Sequence, residues 1–209
     1  MDPGFALLYI DEAFLVVDKP AGLLAVPGRG PAGADNLVTR VQQLHPDACT
    51  VHRLDMATSG LMLLARGPDM QRALSRRFEQ RAVHKRYEAV VHGLVATDTG
   101  CTDAPLGADW PRRPRQKVDF DAGKPSLTRW QVLDRDTAAQ RTRLRLEPVT
   151  GRTHQLRVHM LALGHPIVGD ALYGSDTPPA PRLLLHACEL QLPHPVHGGD
   201  CHFTSTPPF

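Results

Sequence analysis

The sequence predicts an α+β fold. Strand-like and helix-like segments are mixed along the 209 residues without the regular strand–helix–strand alternation of a doubly wound sheet. The strand-like runs are short and apolar, with turn-forming residues between them. Hydrophobic residues make up 42% of the chain and charged residues 22%, the balance of an ordinary globular protein long enough to bury a substantial core.

The elements follow in order. Phe5 to Ile10 and Phe14 to Asp18 read as strands joined by an acidic turn at Asp11-Glu12. Lys19 to Gly33 is rich in Gly and Pro and reads as loop. Leu37, Val41 and Leu44 recur at helical spacing, with Asp35 or Asn36 as the cap. Leu61 to Ala65 is a strand. Asp69 to Ala82 is a helix with Met70, Leu74 and Phe78 on one face and Arg72, Arg76 and Gln80 off it. Tyr87 to His92 is a strand with Ala89 and Val91 on the side of Tyr87. Ala96 to Lys124 reads as a long loop or insertion. Strands follow at Ser126 to Leu133 and Thr142 to Glu147. Leu156, Met160 and Leu163 mark a helix that Gly164 ends and Pro166 keeps from resuming. Leu183 to His186 and Glu189 to Leu192 are late strands, and Thr204 to Phe209 is an extended tail.

Composition excludes some classes. No apolar run is long enough to span a membrane, and Met1-Asp2-Pro3-Gly4 has no basic region of the kind that opens a signal peptide. Cys49, Cys101, Cys188 and Cys201 are scattered without a CxxC pair, as expected of reduced thiols in a cytoplasmic protein. The net charge is only +2, but only four of the 24 basic residues are lysine. Arginine matches phosphates bidentately and stacks on bases. Arginines cluster at Arg72, Arg76, Arg77, Arg81 and Arg86, and again at Arg112, Arg113 and Arg115. Either a nucleic-acid surface or an arginine-rich composition with solvated helix faces accounts for them.

The most informative string is His52-Arg53-Leu54-Asp55-Met56-Ala57-Thr58-Ser59-Gly60, which runs straight into the apolar Leu61 to Ala65. A carboxylate beside strand-like apolar sequence is costly unless cations or donors meet it. Asp55 is therefore either a structural ion-pair partner or a catalytic anion. The string resembles the signature of the RluA-type pseudouridine synthases. Gly151-Arg152-Thr153-His154-Gln155-Leu156-Arg157-Val158-His159 is similar to a second signature of that family, and Lys85-Arg86-Tyr87 to its tyrosine motif. Asp18-Lys19-Pro20-Ala21-Gly22-Leu23 resembles its opening turn. Gly164-His165-Pro166 through Gly169-Asp170, Leu185-His186-Ala187 and His194-Pro195 resemble its C-terminal segments.

The resemblance implies one catalytic domain over residues 1–209: a large, mostly antiparallel, curved mixed sheet with flanking helices and a cleft along its middle. Only about 50 residues precede the Asp55 motif, so no separate N-terminal S4-like RNA-binding domain is expected. It implies isomerisation of uridine to pseudouridine in stem-loops of structured RNA, ribosomal or transfer RNA or both. The C–N bond breaks, the uracil turns, and a C–C bond forms. There is no redox change or phosphoryl transfer, so neither cofactor nor metal is expected. Asp55 would be the catalytic carboxylate, attacking the sugar or removing a proton from it. Arg157 would pair with Asp55 and keep it ionised. Tyr87 would stack on the uracil, and Arg53 would enter the space left by the flipped base or grip its phosphates. Arg152, His154 and Gln155 crowd a helix start, where phosphate binding, pocket lining and capping are all open. His52 is expected to be a hydrogen-bonded positioning residue. The expected protein is a cytoplasmic monomer with no obligate protein partner.

Three other readings deserve comparison. His194, His197, Cys201 and His202 could be drawn as a zinc site, but they lie in a Pro/Gly-rich loop without paired ligand spacing. A glycoside hydrolase needs two working carboxylates, and only Asp55 stands in a motif. A non-catalytic RNA-binding protein would need the basic clusters but not Asp55.

Overall fold

The computed structural model describes residues 4–174 and 180–209; Met1 to Pro3, read above as no leader, lie outside them. Along the chain run β1 (Ala6–Ile10), β2 (Phe14–Lys19), α1 (Leu37–Leu44), β3 (Ala48–Thr50), β4 (Ser59–Arg66), α2 (Gly67–Glu79) and β5 (His84–His92). Then come β6 (Thr99–Thr102), β7 (Leu106–Ala108), β8 (Gln116–Val118), β9 (Thr128–Asp136), β10 (Arg141–Pro148), α3 (Gln155–Ala162), β11 (Leu185–Pro193) and β12 (Asp200–Thr204). Ten strands belong to one sheet, and the registers described are antiparallel. The predicted α+β class is the one observed.

The chain forms two compact units: residues up to Lys85 with Ala187–Pro208, and Arg86–His186 with Phe209. In the first, the strand order is β1-β2-β4-β11, with β3 on β4 and β12 on β11. Every residue of β4 from Ser59 to Ala65 is buried, which is why that strand reads as an unbroken apolar run rather than an alternation. Leu61, Leu63 and Ala65 pack with Phe14, Val16, Leu190 and Leu192, and Leu74 of α2 closes the cluster. Met70 and Phe78 flank Leu74, as their helical spacing predicts. Asn36 caps α1 by accepting from the Thr39 N–H at 2.9 Å.

The second unit holds the order β5-β10-β9-β6. Ala89 and Val91 of β5 and Leu144 and Leu146 of β10 are buried. α3 is buried all round from Gln155 to Met160, with Val158 and Met160 in the core. The segment Ala96 to Lys124, read above as a long loop or insertion, contains β6 and the β7–β8 hairpin, whose register runs Leu106↔Val118 to Ala108↔Gln116. Its strands have only three or four residues each, too few for a period-2 pattern to show. The same brevity hid β3. The two late strands are one, because no turn residue separates His186 from Glu189 and pairing continues through them. β12 was hidden by its polar residues Asp200 and His202.

The acidic turn is a part-buried hydrogen-bond network. The Asp11 carboxylate accepts from the Ala13 and Phe14 N–H groups at 2.7 and 2.9 Å, from the Tyr9 hydroxyl at 2.5 Å, and from Nε2–H of the fully buried His194 at 2.8 Å. Burial pushes the Asp11 carboxyl up, but hydrogen bonds from Tyr9, Phe14, Ala13 and His194 outweigh it and hold it at about 2, below its ordinary 3.8. Its hydrogen bond also helps push the Tyr9 hydroxyl up to about 12. A carboxyl depressed in the folded state stabilises above its unfolded pKa, and that contribution fades as pH falls from about 4 to about 2. Thermal melts across this window should show Asp11→Ala losing stability at neutral pH while losing the steepest part of the acid dependence. An acid limb identical to that of the unsubstituted chain would refute the assignment.

Candidate active site

In the first unit, the turn carrying Asp55 is held by its neighbours. The Thr58 N–H donates to the Asp55 carbonyl at 3.1 Å. The Met56 carbonyl accepts both the Gly22 N–H at 2.8 Å and Nζ of Lys19 at 3.1 Å. Lys19 is fully buried, and its ammonium also donates to the carbonyls of Pro20 and Leu23, at 2.8 Å each. A buried cation is tolerable only when its donors are met; here three carbonyls tie the opening turn to the Asp55 turn. Leu54, Thr58 and Ser59 are buried beside it, whereas Asp55 is half-buried and Arg53 exposed. The acid thus stands at the surface on a buried base.

His52 and Gly60 close the motif at both ends. Nε2 of His52 accepts the Leu63 N–H at 2.9 Å, so that nitrogen is unprotonated. The ring stacks on Phe78 with centroids 4.5 Å apart. Desolvation, aided by the charge of Lys85, pushes the imidazole down to about 3. His52 is neutral and hydrogen-bonded to the backbone of β4. Gly60 has φ near +110°, and a Cβ there would meet the backbone of Ala187 at 2.3 Å, so only glycine fits this close approach.

In the second unit, Tyr87 lies half-buried on β5, opposite Leu146. α3 begins at His154, whose φ of 54° is left-handed, a costly conformation for a side-chain-bearing residue. Nδ1 of His154 lies 2.8 Å from the Tyr173 hydroxyl. Arg157 is buried and forms a two-pronged pair with Asp170: Nε to Oδ2 at 2.8 Å and Nη2 to Oδ1 at 2.7 Å. Asp170 also accepts the N–H groups of Leu172 and Tyr173 at 3.0 and 3.1 Å. The guanidinium carbon lies 5.1 Å from the Tyr173 ring centre.

The other two residues of that motif differ from each other. Gln155 is buried and committed to its own chain: Oε1 accepts from the Thr150 hydroxyl and the Arg152 N–H, and Nε2 donates to the Leu127 carbonyl and the Thr128 hydroxyl. Arg152 is exposed, with Nε on the Pro125 carbonyl at 3.1 Å.

Asp170 and Tyr173 escaped the sequence reading as site residues. An Asp after a glycine and an apolar pair carries a signal, since a buried carboxylate needs a cation, but nothing in the spacing singles out Arg157. Of the suggested zinc quartet, His194 and His197 stack at 3.5 Å, but His202 pairs with Glu189 and Cys201 donates to the Gly199 carbonyl. Among the described residues, Glu12, His194 and His197 hold ligand atoms within 4.8 Å of one another. Both nitrogens of His194 are already used, Nε2 by Asp11 and Nδ1 by the Val196 and His197 N–H groups.

Comparison with known proteins turns this geometry into an assignment. A family model described as RNA pseudouridylate synthase matches residues 13–162. The chain belongs to the RNA pseudouridine synthase family. A protein of Yersinia pestis named dual-specificity RNA pseudouridine synthase RluA is 50% identical over 94% of this chain and 96% of its own length. The protein of that name from Escherichia coli K12 is 47% identical over 100% of this chain and 95% of its own. The solved structure titled human RNA pseudouridylate synthase domain containing 1 superposes with a TM-score of 0.83 at 28% identity, covering 100% of this chain and 86% of that one. The structure titled domain containing 4 gives 0.76 at 25%, covering 97% and 88%. As a pseudouridine synthase the chain is an isomerase that acts on RNA, and catalysis is favoured over RNA binding alone. No described helix is long and apolar enough to cross a membrane.

Proposed function

We propose that this synthase isomerises uridines in stem-loops of ribosomal RNA, transfer RNA or both, with Asp55 as its catalytic carboxylate. The observation that carries the reading is the Asp55 turn: a half-buried acid at the surface on a scaffold of buried Lys19, Thr58, Ser59 and Gly60. A merely structural carboxylate needs no such mounting. The dual specificity in the relatives' names supports more than one RNA target. In this reading Arg157 helps keep Asp55 ionised. Tyr87 stacks on the uracil, while Arg53 fills the place of the flipped base and Arg152 meets phosphate. His154 shapes the pocket wall, and Gln155 contributes by fixing the start of α3. We read residues 1–209 as one catalytic domain, working as a cytoplasmic monomer without cofactor or obligate protein partner.

Removing a base from a loop sacrifices less stacking and pairing than removing it from a helix. The A-form major groove is also closed to side chains. A short hairpin with its uridine in the loop should therefore be converted far faster than a continuous duplex containing the same strand. Pseudouridine counts on both RNAs provide the check, and equal rates would overturn the stem-loop reading.

A further inference from the structure

The β7–β8 hairpin presents a surface that the reaction does not require. Its root is apolar and fixed: Leu106 packs with Val158 of α3 and Tyr173, with Val118 alongside. The Gln116 N–H donates to the Tyr173 hydroxyl at 2.7 Å. Its tip is the reverse. Trp110 is 67% exposed, and the Arg113 guanidinium lies over its ring at 3.6 Å. Phe120, just past the hairpin, is 80% exposed. Large aromatics left in water at the end of a fixed hairpin call for a partner.

The charges around them say which kind. Arg112, Arg113, Arg115 and Lys117 face two carboxylates, Asp109 and Asp119, which pair with Arg112 at 2.7 Å and Lys117 at 3.3 Å. Between hairpin and α3 lies a cavity of about 260 Å³ whose lining includes Arg112, Arg115, Lys117 and Tyr173, with Asp109 and Leu161 also on its wall. At the tip Trp110, Pro111, Arg112, Arg113 and Pro114 are all exposed. A protein-docking core would be depleted of charge; a groove of cations beside a stacking ring is what single-stranded nucleic acid takes. Pro111 and Pro114 bracket the two arginines and limit the backbone freedom lost on binding.

We propose that this hairpin is a second RNA subsite: Trp110 takes one unpaired base of the substrate outside the target uridine, and Arg112, Arg115 and Lys117 receive the neighbouring phosphates. Arg113 covers one face of the indole, and the base would stack on the other. The inference deepens the reading of the chain as an enzyme of structured RNA and rests on it.

The test uses the full chain and a stem-loop RNA bearing unpaired nucleotides. Trp110 and Trp130 are the two tryptophans, so a Trp130→Phe background makes Trp110 the sole indole, and its fluorescence should be quenched as RNA binds. In the unmodified background, Trp110→Ala should raise KM roughly 5- to 100-fold, the loss of one stacked base, and Trp110→Phe should restore most of it. Arg112→Gln and Lys117→Gln should each lower the salt slope of RNA binding by about one unit. An unchanged KM and salt slope in these variants, with isomerisation intact, would overturn the hairpin subsite and leave the catalytic reading standing. A hairpin that serves a protein partner would give that same result. Indole quenching and Trp110-dependent RNA binding in a chain that forms no pseudouridine would support the subsite and overturn the catalytic reading.

Discussion

Asp55→Asn should abolish uridine isomerisation, with turnover falling by at least about 10³-fold, while affinity for the stem-loop stays within a few-fold of the unsubstituted chain. The substitution keeps the shape of the side chain and removes its charge. The turn should survive, because the substitution leaves in place the bonds from the Thr58 N–H to the Asp55 carbonyl and from Gly22 and Lys19 to the Met56 carbonyl. Melting temperature should therefore move little. Binding persists because phosphate contacts dominate RNA affinity and Asp55 makes none. Pseudouridine quantification at saturating RNA, alongside a binding isotherm, measures both halves. Substantial turnover by a verified Asn variant would remove Asp55 from the reaction. Loss of binding together with activity would show that the substitution had damaged more than the charge.

What the sequence revealed and what it concealed follow from range. α2 was legible because Met70, Leu74 and Phe78 recur at helical spacing and do bury one face. β2 and β4 were legible because a buried strand is apolar along its length. The Asp55 turn stood out because its residues are contiguous. Its anchor was concealed: Lys19 lies 37 residues from the Met56 carbonyl it holds, and no local pattern announces a buried ammonium. Gln155 looked like a candidate contact with RNA because polar residues at a helix start usually face solvent. It is instead spent on Thr150, Arg152, Leu127 and Thr128, and two of these partners, Leu127 and Thr128, lie 28 and 27 residues away along the chain. Asp170 was concealed for the same reason, since its match to Arg157 across 13 residues depends on the fold.

That pair carries the second large effect. Arg157→Ala leaves the fully buried Asp170 carboxylate without its cation, at a cost of about 3–5 kcal/mol. For a chain of this size that lowers the melting temperature by roughly 10 °C. Activity should vanish too, but that alone does not separate a clamp on Asp170 from support of Asp55. The double variant Arg157→Met with Asp170→Leu does. Replacing a buried ion pair by apolar residues of similar volume is often neutral for stability, so the double variant should regain most of the lost melting temperature. If Arg157 also holds the catalytic acid ionised, that restored protein should remain inactive on the stem-loop and still bind it. The physical reason is electrostatic: a cation that supports a desolvated carboxylate favours its ionised form. Turnover recovering in step with melting temperature would show that Arg157 serves only to neutralise Asp170, and Asp55 would then need a different cation.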